Sequence, residues 1–303
     1  MIKLRLLRFA SNIAMIDSMP DISPFLSTYI ILGEDIAIVD CGPARAVPHI
    51  IEELENSSID LVRVKYVLLS HIHIDHAGGV GHLLEYLPNA KIVVHPKGAK
   101  HLVDPSVLWR KTKEVLGELA DYYGEIVPVP KERIITAEEG TTIDLGGSEV
   151  VVFETPGHSS HSVTYYLSRE RVIFPGDVAG VYLEPWSIYF PTTPFPFNPD
   201  KALGSIRKLI DLKPQFICFP HFGCTNNATD YLRKYMGKLE LWVKIVKENM
   251  EYGDQKILER IMELDYDLAS KYDLIKKHKI WRGSIIRSIE GIRKYIEWKS
   301  GSQ

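Results

Sequence analysis

The segment 68–79, "LLSHIHIDHAGG", concentrates metal-binding side chains, with His71, His73, Asp75 and His76 within six positions. Imidazole nitrogens and carboxylate oxygens are ligands of zinc, which takes three or four ligands of the N, O or S type. The first two histidines lie at i and i+2 after the apolar strand "VKYVLLS", so extended backbone places both on one face. The other two residues fall where the chain turns into a helix and point elsewhere. The segment therefore predicts two incomplete half-sites.

Three later segments supply the ligands that the half-sites lack. "VVVFETPGH" ends in His158, "RVIFPGD" ends in Asp177 and "FICFPH" ends in His221. Each is a β-branched or aromatic strand that ends at proline and is followed by a metal-binding side chain. The ends of adjacent strands converge on one rim. Seven such ligands suit two divalent ions with a bridging carboxylate and leave positions open for water.

Strand and helix patterns alternate along residues 1–225, and residues 226–303 contain only helical patterns. The sequence thus predicts a catalytic core over 1–225 and a C-terminal helical region over 226–303. Residues 1–10 are interpreted as a strand and not as a signal peptide. The aromatic and proline-rich segment 180–199 is interpreted as an irregular loop.

The sequence resembles the metallo-β-lactamase superfamily across about residues 20–225. The motifs "AIVDCG", "SHIHIDHAGG", "TPGHS", "FPGD" and "PHFG" stand in the order that the family uses. The resemblance implies an α/β fold, the αβ/βα four-layer sandwich, with metals at one edge of the two sheets. Here that core carries a C-terminal helical extension.

The same resemblance implies a role for each metal-binding residue. It assigns three ligands to the first metal, three to the second and one bridging carboxylate. In that order these are His71, His73 and His158; Asp75, His76 and His221; and Asp177. The resemblance also implies that Asp40, in "AIVDCG", does not bind a metal itself but orients the residues that do.

The chemistry predicted for this site is hydrolysis by a hydroxide that bridges two metal ions. The expected cofactor is two Zn²⁺, with iron or manganese as alternatives, and the charge of the ions lets the bound water ionise near neutral pH. The hydroxide would attack an ester, thioester or lactone carbonyl. Asp75 is the expected catalytic residue, orienting the hydroxide and passing a proton to the leaving group. The sequence has no G-x-S-x-G nucleophile motif.

Several alternatives remain open at this stage. His73 stands where the flavodiiron branch carries Glu, which disfavours oxygen reduction, and segment 178–220 is too short for the domain inserted in the large nucleases. A small RNA-processing phosphodiesterase stays open, as does a mononuclear-iron enzyme similar to the persulfide dioxygenases. A metal-stabilised binding protein without turnover is the third possibility. "VAGVYLEPWS" and "FGCTNN" depart from the hydroxyacylglutathione hydrolases.

The substrate is expected to be a small molecule with an apolar part. Tyr182, Trp186 and Tyr189 in the loop after Asp177 are candidate groove residues, and the alternative is that they pack against the C-terminal helices. His161 is a further candidate substrate contact, facing either the pocket or solvent. The C-terminal helices are expected to cover one side of the cleft or to form a homodimer surface.

Composition narrows the partners and the compartment. The net charge of −3 argues against nucleic acid as a partner, and no stretch approaches the length of a membrane span. Lysine and arginine in 271–299 are expected to pair within the helical region. The three cysteines are too few for a disulfide framework, so a cytoplasmic protein is predicted. Glutamine is scarce whereas Ile, Lys and Glu are abundant, a composition that is typical of proteins from thermophiles.

Overall fold

The computed structural model describes residues 5–7 and 10–301. Its strands are β1 (Arg5–Leu7), β2 (Ala10–Asp17), β3 (Ser27–Ile31), β4 (Ile36–Val39), β5 (Val64–Leu68), β6 (Lys91–Val94), β7 (Ile134–Thr136), β8 (Thr142–Asp144), β9 (Glu149–Glu154), β10 (Val163–Leu167), β11 (Val172–Phe174), β12 (Val181–Leu183), β13 (Ile188–Phe190), β14 (Phe216–Phe219) and β15 (Gly223–Thr225). Its helices are α1 (Val47–Asn56), α2 (Ile74–Ala77), α3 (Val80–Leu83), α4 (Pro96–Val103), α5 (Ser106–Leu116), α6 (Glu118–Tyr123), α7 (Pro199–Asp211), α8 (Ala228–Glu248), α9 (Asp254–Leu264), α10 (Tyr266–Ala269), α11 (Tyr272–Lys277) and α12 (Trp281–Gly301).

The first sheet has the strand order β1-β2-β3-β4-β5-β6-β7. Its first four strands are antiparallel, and β4 to β7 are parallel. Strands β3 and β4 are buried along their whole length, as expected for the continuous apolar runs "TYII" and "IAIV". Because parallel strands end at the same edge, Asp40 after β4 and the histidines after β5 lie next to each other.

The second sheet has the order β15-β14-β11-β10-β9-β8. His158 follows β9, Asp177 follows β11 and His221 lies between β14 and β15. The two sheets are tied together by Tyr29 on β3, whose hydroxyl contacts the carbonyl oxygens of Phe219 at 2.8 Å and Gly223 at 2.7 Å. With helices flanking both sheets, the predicted αβ/βα four-layer sandwich is confirmed.

Helices α8 to α12 form the C-terminal helical region, as the sequence predicts. Their buried side chains join the same hydrophobic cluster as the sheets, and Trp242 of α8 is fully buried. The division at residue 225 stays a prediction. Among the helices of the described residues, none is both long and apolar enough to cross a membrane.

The prediction of an irregular loop over 180–199 was wrong for its first half. Strands β12 and β13 form an antiparallel hairpin there, with Val181 opposite Phe190 and Leu183 opposite Ile188. All four side chains are buried, so the hairpin alternates apolar and half-exposed positions in the manner of a strand. The proline-rich remainder, 191–198, lacks regular structure as predicted.

Two further differences concern the helix near the histidine cluster and the N-terminus. The chain turns into a helix at Asp75 and His76, as predicted, but that helix, α2, is a single turn that ends at Ala77. A second short helix, α3, follows Gly78–Gly79 and ends at Leu83. Of the strand interpreted over residues 1–10, β1 covers 5–7 and β2 begins at Ala10. Residues 1–4 and 8–9 lie outside the described residues.

Candidate metal centre

Three histidines from two sheets converge to form a first cluster. His73 Nδ1 lies 3.0 Å from His71 Nε2 and 2.9 Å from His158 Nε2. The ligand atoms of these residues all lie within 4.8 Å of one another, which is the arrangement of a group that could hold one ion. Ile72, between the first two, is buried in the core, so the alternation predicted from the i, i+2 spacing is present.

A second cluster, with ligand atoms within the same 4.8 Å limit, is formed by Asp75, His76 and His221. His221 Nε2 lies 3.8 Å from Asp75 Oδ2, and His76 Nε2 lies 3.9 Å from Asp75 Oδ1. Asp75 and His76 lie on helix α2, and the ring centroid of His76 is 4.1 Å from that of His71 in the first cluster. The two clusters therefore lie side by side.

Asp177 lies between the two clusters and contacts both. Its Oδ1 is 3.4 Å from His76 Nε2 and 3.5 Å from His221 Nε2, whereas its Oδ2 is 3.5 Å from His158 Nε2. The preceding Gly176 has a φ of +56°, and a Cβ at this position would lie 2.8 Å from Ser70. Glycine in "FPGD" thus lets the turn approach the histidine segment closely.

In His158 and His221, the ring nitrogen that faces away from the clusters donates a hydrogen bond to a backbone carbonyl oxygen. His158 Nδ1 donates to the Thr192 carbonyl at 2.9 Å, and His221 Nδ1 donates to the Phe25 carbonyl at 3.2 Å. Each contact fixes the proton on Nδ1 and leaves the Nε2 lone pair directed at the clusters, which is the arrangement that metal-binding histidines use.

Asp40 orients one histidine in each cluster, His76 directly and His71 through Ser70. Its Oδ2 accepts from His76 Nδ1 at 3.0 Å and from Ser70 Oγ at 2.7 Å. Ser70 Oγ in turn lies 3.1 Å from His71 Nδ1, so the serine relays the contact to the first cluster. Asp40 Oδ1 accepts from the Ser70 backbone N–H at 2.8 Å, which fixes the carboxylate.

The protonation preferences of the centre follow from burial and from the carboxylates. Burial and neighbouring histidines hold the pKa of His71 and His73 well below the ordinary value, so both are neutral. Burial alone would raise the pKa of Asp177, but the surrounding histidines hold it well below its usual range. Burial alone would lower the pKa of His76, but the carboxylates of Asp177, Asp75 and Asp40 hold it well above the ordinary value. A divalent cation requires neutral imidazoles and an ionised carboxylate, so its binding would displace the proton of His76.

Two buried atoms of the centre test whether a metal fits. Within the described part of the chain, His76 Nε2 and Asp177 Oδ1 have no hydrogen-bond partner. Buried polar atoms without a partner are costly and rare in proteins, and a cation between them would satisfy both. The nitrogen and oxygen donor set is also the one that zinc and other divalent metals bind. The residues present therefore fit a metal centre.

A cavity of about 390 Å³ opens onto the centre. This volume is in the range of pockets that take small molecules. Most of its walls come from helices α5 and α6, the segment 192–196 and the start of α12, and Phe25, His101 and His161 also line it. The polar floor consists of His73, Asp75, His158, Asp177 and His221.

The candidate substrate residues have different positions. His161 lines the cavity, with its ring centroid 6.0 Å from that of His73, and burial lowers its pKa to about 4. The described residues that line the cavity do not include Tyr182, Trp186 or Tyr189.

Those three aromatic residues pack against the helical region and the second sheet. Tyr182 and Tyr189 contact Tyr231 of α8, and Trp186 contacts His278 after α11. This packing is the alternative that the sequence left open for them. Of the other aromatic residues in the loop, Phe195 does line the cavity.

Sequence reasoning missed the part of the cavity that α12 contributes. Trp281, Ser284, Arg287 and Ser288 line it from the C-terminal region. Their spacing of three and four places them on one helix face, which is a weak signal in the sequence. Nothing in the sequence shows that this face meets the metal centre.

Comparison with known proteins agrees with this architecture. The sequence model of the metallo-beta-lactamase superfamily matches residues 25–221, which span all seven metal-binding candidates. The chain belongs to this superfamily. Most of its members are hydrolytic enzymes, and the clusters described above are groups that could hold a divalent metal.

Individual relatives are similar over different lengths. A metallo-beta-lactamase fold-containing protein of Sulfurisphaera tokodaii is 27% identical over 72% of this chain and 82% of its own. A crystal structure of an archaeal superfamily protein from Sulfolobus tokodaii covers 93% of this chain and 98% of its own, with a TM-score of 0.68 and 22% identity. An acyl-coenzyme A thioesterase of Gallus gallus is 30% identical over 36% of this chain and 39% of its own length.

Proposed function

We propose that the protein is a binuclear metal hydrolase that cleaves an ester, thioester or lactone. The proposed ligands are His71, His73 and His158 for one ion and Asp75, His76 and His221 for the other, with Asp177 between them. The observation that carries the proposal is the contact of Asp177 with both clusters through different oxygens. Zinc is the proposed metal.

Two divalent ions bound there would supply a water that ionises near neutral pH and would polarise the carbonyl of the substrate. The residues of the chain supply position and proton transfer. Asp75 is the proposed catalytic residue because its side chain is 25% exposed, whereas that of Asp177 is 4% exposed. Its carboxylate can accept a hydrogen bond from the attacking water and hold the proton that the leaving group takes.

The walls of the cavity favour a substrate with an apolar part. Leu108, Leu116 and Leu119 line it from α5 and α6, and Phe195 lines it from the opposite segment. These side chains can exclude water around an acyl group, which strengthens electrostatic interactions with the reacting carbonyl. The similarity to an acyl-coenzyme A thioesterase supports an acyl substrate of this kind.

The test is a hydrolysis screen with an ester, a thioester, a lactone, a phosphodiester and a β-lactam. Turnover of at least one of the first three is expected, with a loss of at least about 100-fold in both His71→Ala and Asp177→Ala. His49→Ala is the matched control, since His49 lies outside both clusters. Turnover of the phosphodiester alone would overturn the proposal in favour of a phosphodiesterase, and full activity in the two ligand variants would overturn it altogether.

A further inference from the structure

Helix α12 presents one polar face to the cavity. Trp281, Ser284, Arg287 and Ser288 all line it, at positions i, i+3, i+6 and i+7 of the helix. Residues at these spacings share a face, so Arg287 follows Trp281 by about two turns along the same wall. Two of the described residues that line the cavity are cationic, Arg287 on α12 and Lys111 on α5. Lys111 is exposed to solvent, whereas Arg287 is half-buried.

Hydrogen bonds hold helix α12 in place on both sides of Arg287, at Trp281 and at Ser288. Trp281 Nε1 donates to the Pro24 carbonyl at 2.9 Å, and its ring centroid lies 5.2 Å from that of His221. Further along the helix, Ser288 Oγ donates to the Pro191 carbonyl at 3.0 Å. Thr193 Oγ1 donates to the Ser288 carbonyl at 2.8 Å. The backbone that carries Arg287 is thus held against the metal centre.

The charge of Arg287 is not neutralised within the described part of the chain. Two other basic residues of the helix have carboxylate partners, Arg293 with Asp254 at 2.6 Å and Lys299 with Asp200 at 2.8 Å. None of the ion pairs among the described residues, 5–7 and 10–301, includes Arg287. The cavity carboxylates, Asp75 and Asp177, face the histidines instead.

The guanidinium also acts on the interior of the cavity. Burial raises the pKa of the Tyr123 hydroxyl well above its usual value, and the charge of Arg287 opposes that increase. Tyr123 lines the same cavity, and its pKa responds to Asp75 as well. Arg287, Asp75 and Tyr123 all line the cavity, so a substrate bound there would lie within reach of the cationic group.

From this arrangement we infer that Arg287 binds a carboxylate of the substrate, which is an acyl ester, thioester or lactone carrying both an apolar segment and an anionic group. A planar guanidinium pairs with a carboxylate through two parallel hydrogen bonds, so it also fixes orientation. The inference rests on the proposed function, because it takes the cavity as the site of the acyl substrate.

The test is isothermal titration calorimetry with two probes that share one apolar part, 4-phenylbutanoate and 4-phenylbutanamide. The proteins are the wild type, Arg287→Met, Arg287→Lys and Arg282→Met, with equal metal content. Equal metal content makes any contribution of metal to carboxylate binding the same in every protein. Arg282 is exposed on the same helix and is the matched control.

The wild type should bind the carboxylate about 10-fold or more tighter than the amide. Arg287→Met should weaken carboxylate binding by about 10- to 100-fold and amide binding by less than about threefold, which also shows that the cavity is intact. Arg287→Lys should fall between the two, and Arg282→Met should match the wild type. Equal losses for both probes, or no loss for either, would overturn the inference.

Calorimetry needs no turnover, so the two proposals can fail separately. Carboxylate binding that depends on Arg287 in a protein that hydrolyses none of the screened esters, thioesters and lactones would support the anion site and overturn the hydrolase. Hydrolysis of those substrates without any dependence of carboxylate binding on Arg287 would overturn the anion site alone.

Discussion

Asp40 Oδ2 lies 3.0 Å from His76 Nδ1, and this contact determines which nitrogen of His76 faces the metal centre. Asp40 adopts a φ of 50°, a left-handed conformation that is unusual for a residue other than glycine. Strained backbone of this kind persists where the surroundings hold it in place. The strain is located at the residue that links the two clusters through Ser70 and His76.

Replacing Asp40 should therefore weaken metal binding more than it weakens the fold. Asp40→Asn substitutes a donor for one acceptor oxygen, so either Ser70 or His76 loses its partner. We expect metal affinity to fall by about 10- to 100-fold, as for other residues that orient metal ligands. Competition with a chromophoric chelator measures this affinity. Asp211→Asn, at an exposed position at the end of α7, should bind metal like the wild type; unchanged affinity in Asp40→Asn would contradict the orienting role.

The helical region contains a buried ion pair that should be important for stability. Lys238 Nζ lies 2.6 Å from Asp265 Oδ1, with side chains 6% and 3% exposed, and Trp242 Nε1 donates to Asp265 Oδ2 at 3.0 Å. Lys238→Met leaves a buried carboxylate without its counter-charge, so we expect a loss of about 3–5 kcal/mol in the free energy of unfolding.

The matched control is Lys234→Met on the same helix. Lys234 pairs with Asp230 at 2.8 Å, but these side chains are 64% and 59% exposed, so the expected loss is much smaller than for Lys238→Met. Urea denaturation measures both variants. Equal losses for the two lysines would show that burial does not determine the contribution of the pair.

The contact of α12 with the loop that borders the cavity depends on a glycine. A Cβ at Gly291 would overlap the Thr193 carbonyl, so Gly291→Ala should separate the helix from the loop at a cost of about 1–3 kcal/mol in the free energy of unfolding. At Gly237, inside α8, nothing lies within 4 Å of the added carbon, and the same substitution should stabilise the protein by about 0.5–1 kcal/mol. Thermal unfolding distinguishes the two. A stabilising Gly291→Ala would contradict the close packing of α12.

The metal-binding candidates could be predicted because each immediately follows a strand or belongs to one short segment. His158, Asp177 and His221 come after strand patterns, and parallel or adjacent strands bring such positions to one edge. The alternation of strand and helix patterns over residues 1–225 also predicted an α/β core followed by a helical region. This reasoning needs only local patterns and the geometry of a sheet.

The walls of the cavity depend on contacts between elements that lie far apart in the sequence. The positions of Tyr182 and Tyr189 follow from the register of the β12–β13 hairpin and from its packing on α8, neither of which the aromatic pattern encodes. Arg287 reaches the cavity because α12 docks on the segment 191–193, more than ninety residues earlier. Such docking is a tertiary property, and the helix pattern alone does not reveal its partner.

The number of metal ions bound per chain is the most direct test of the proposed binuclear centre. Protein purified without added metal should be measured by inductively coupled plasma mass spectrometry, as isolated and after incubation with zinc and removal of the excess. We expect about two zinc ions per chain for the loaded wild type and a loss of at least one in Asp177→Ala, because Asp177 contacts both clusters. One iron per chain with no capacity for a second metal would contradict the binuclear hydrolase and favour the mononuclear-iron alternative.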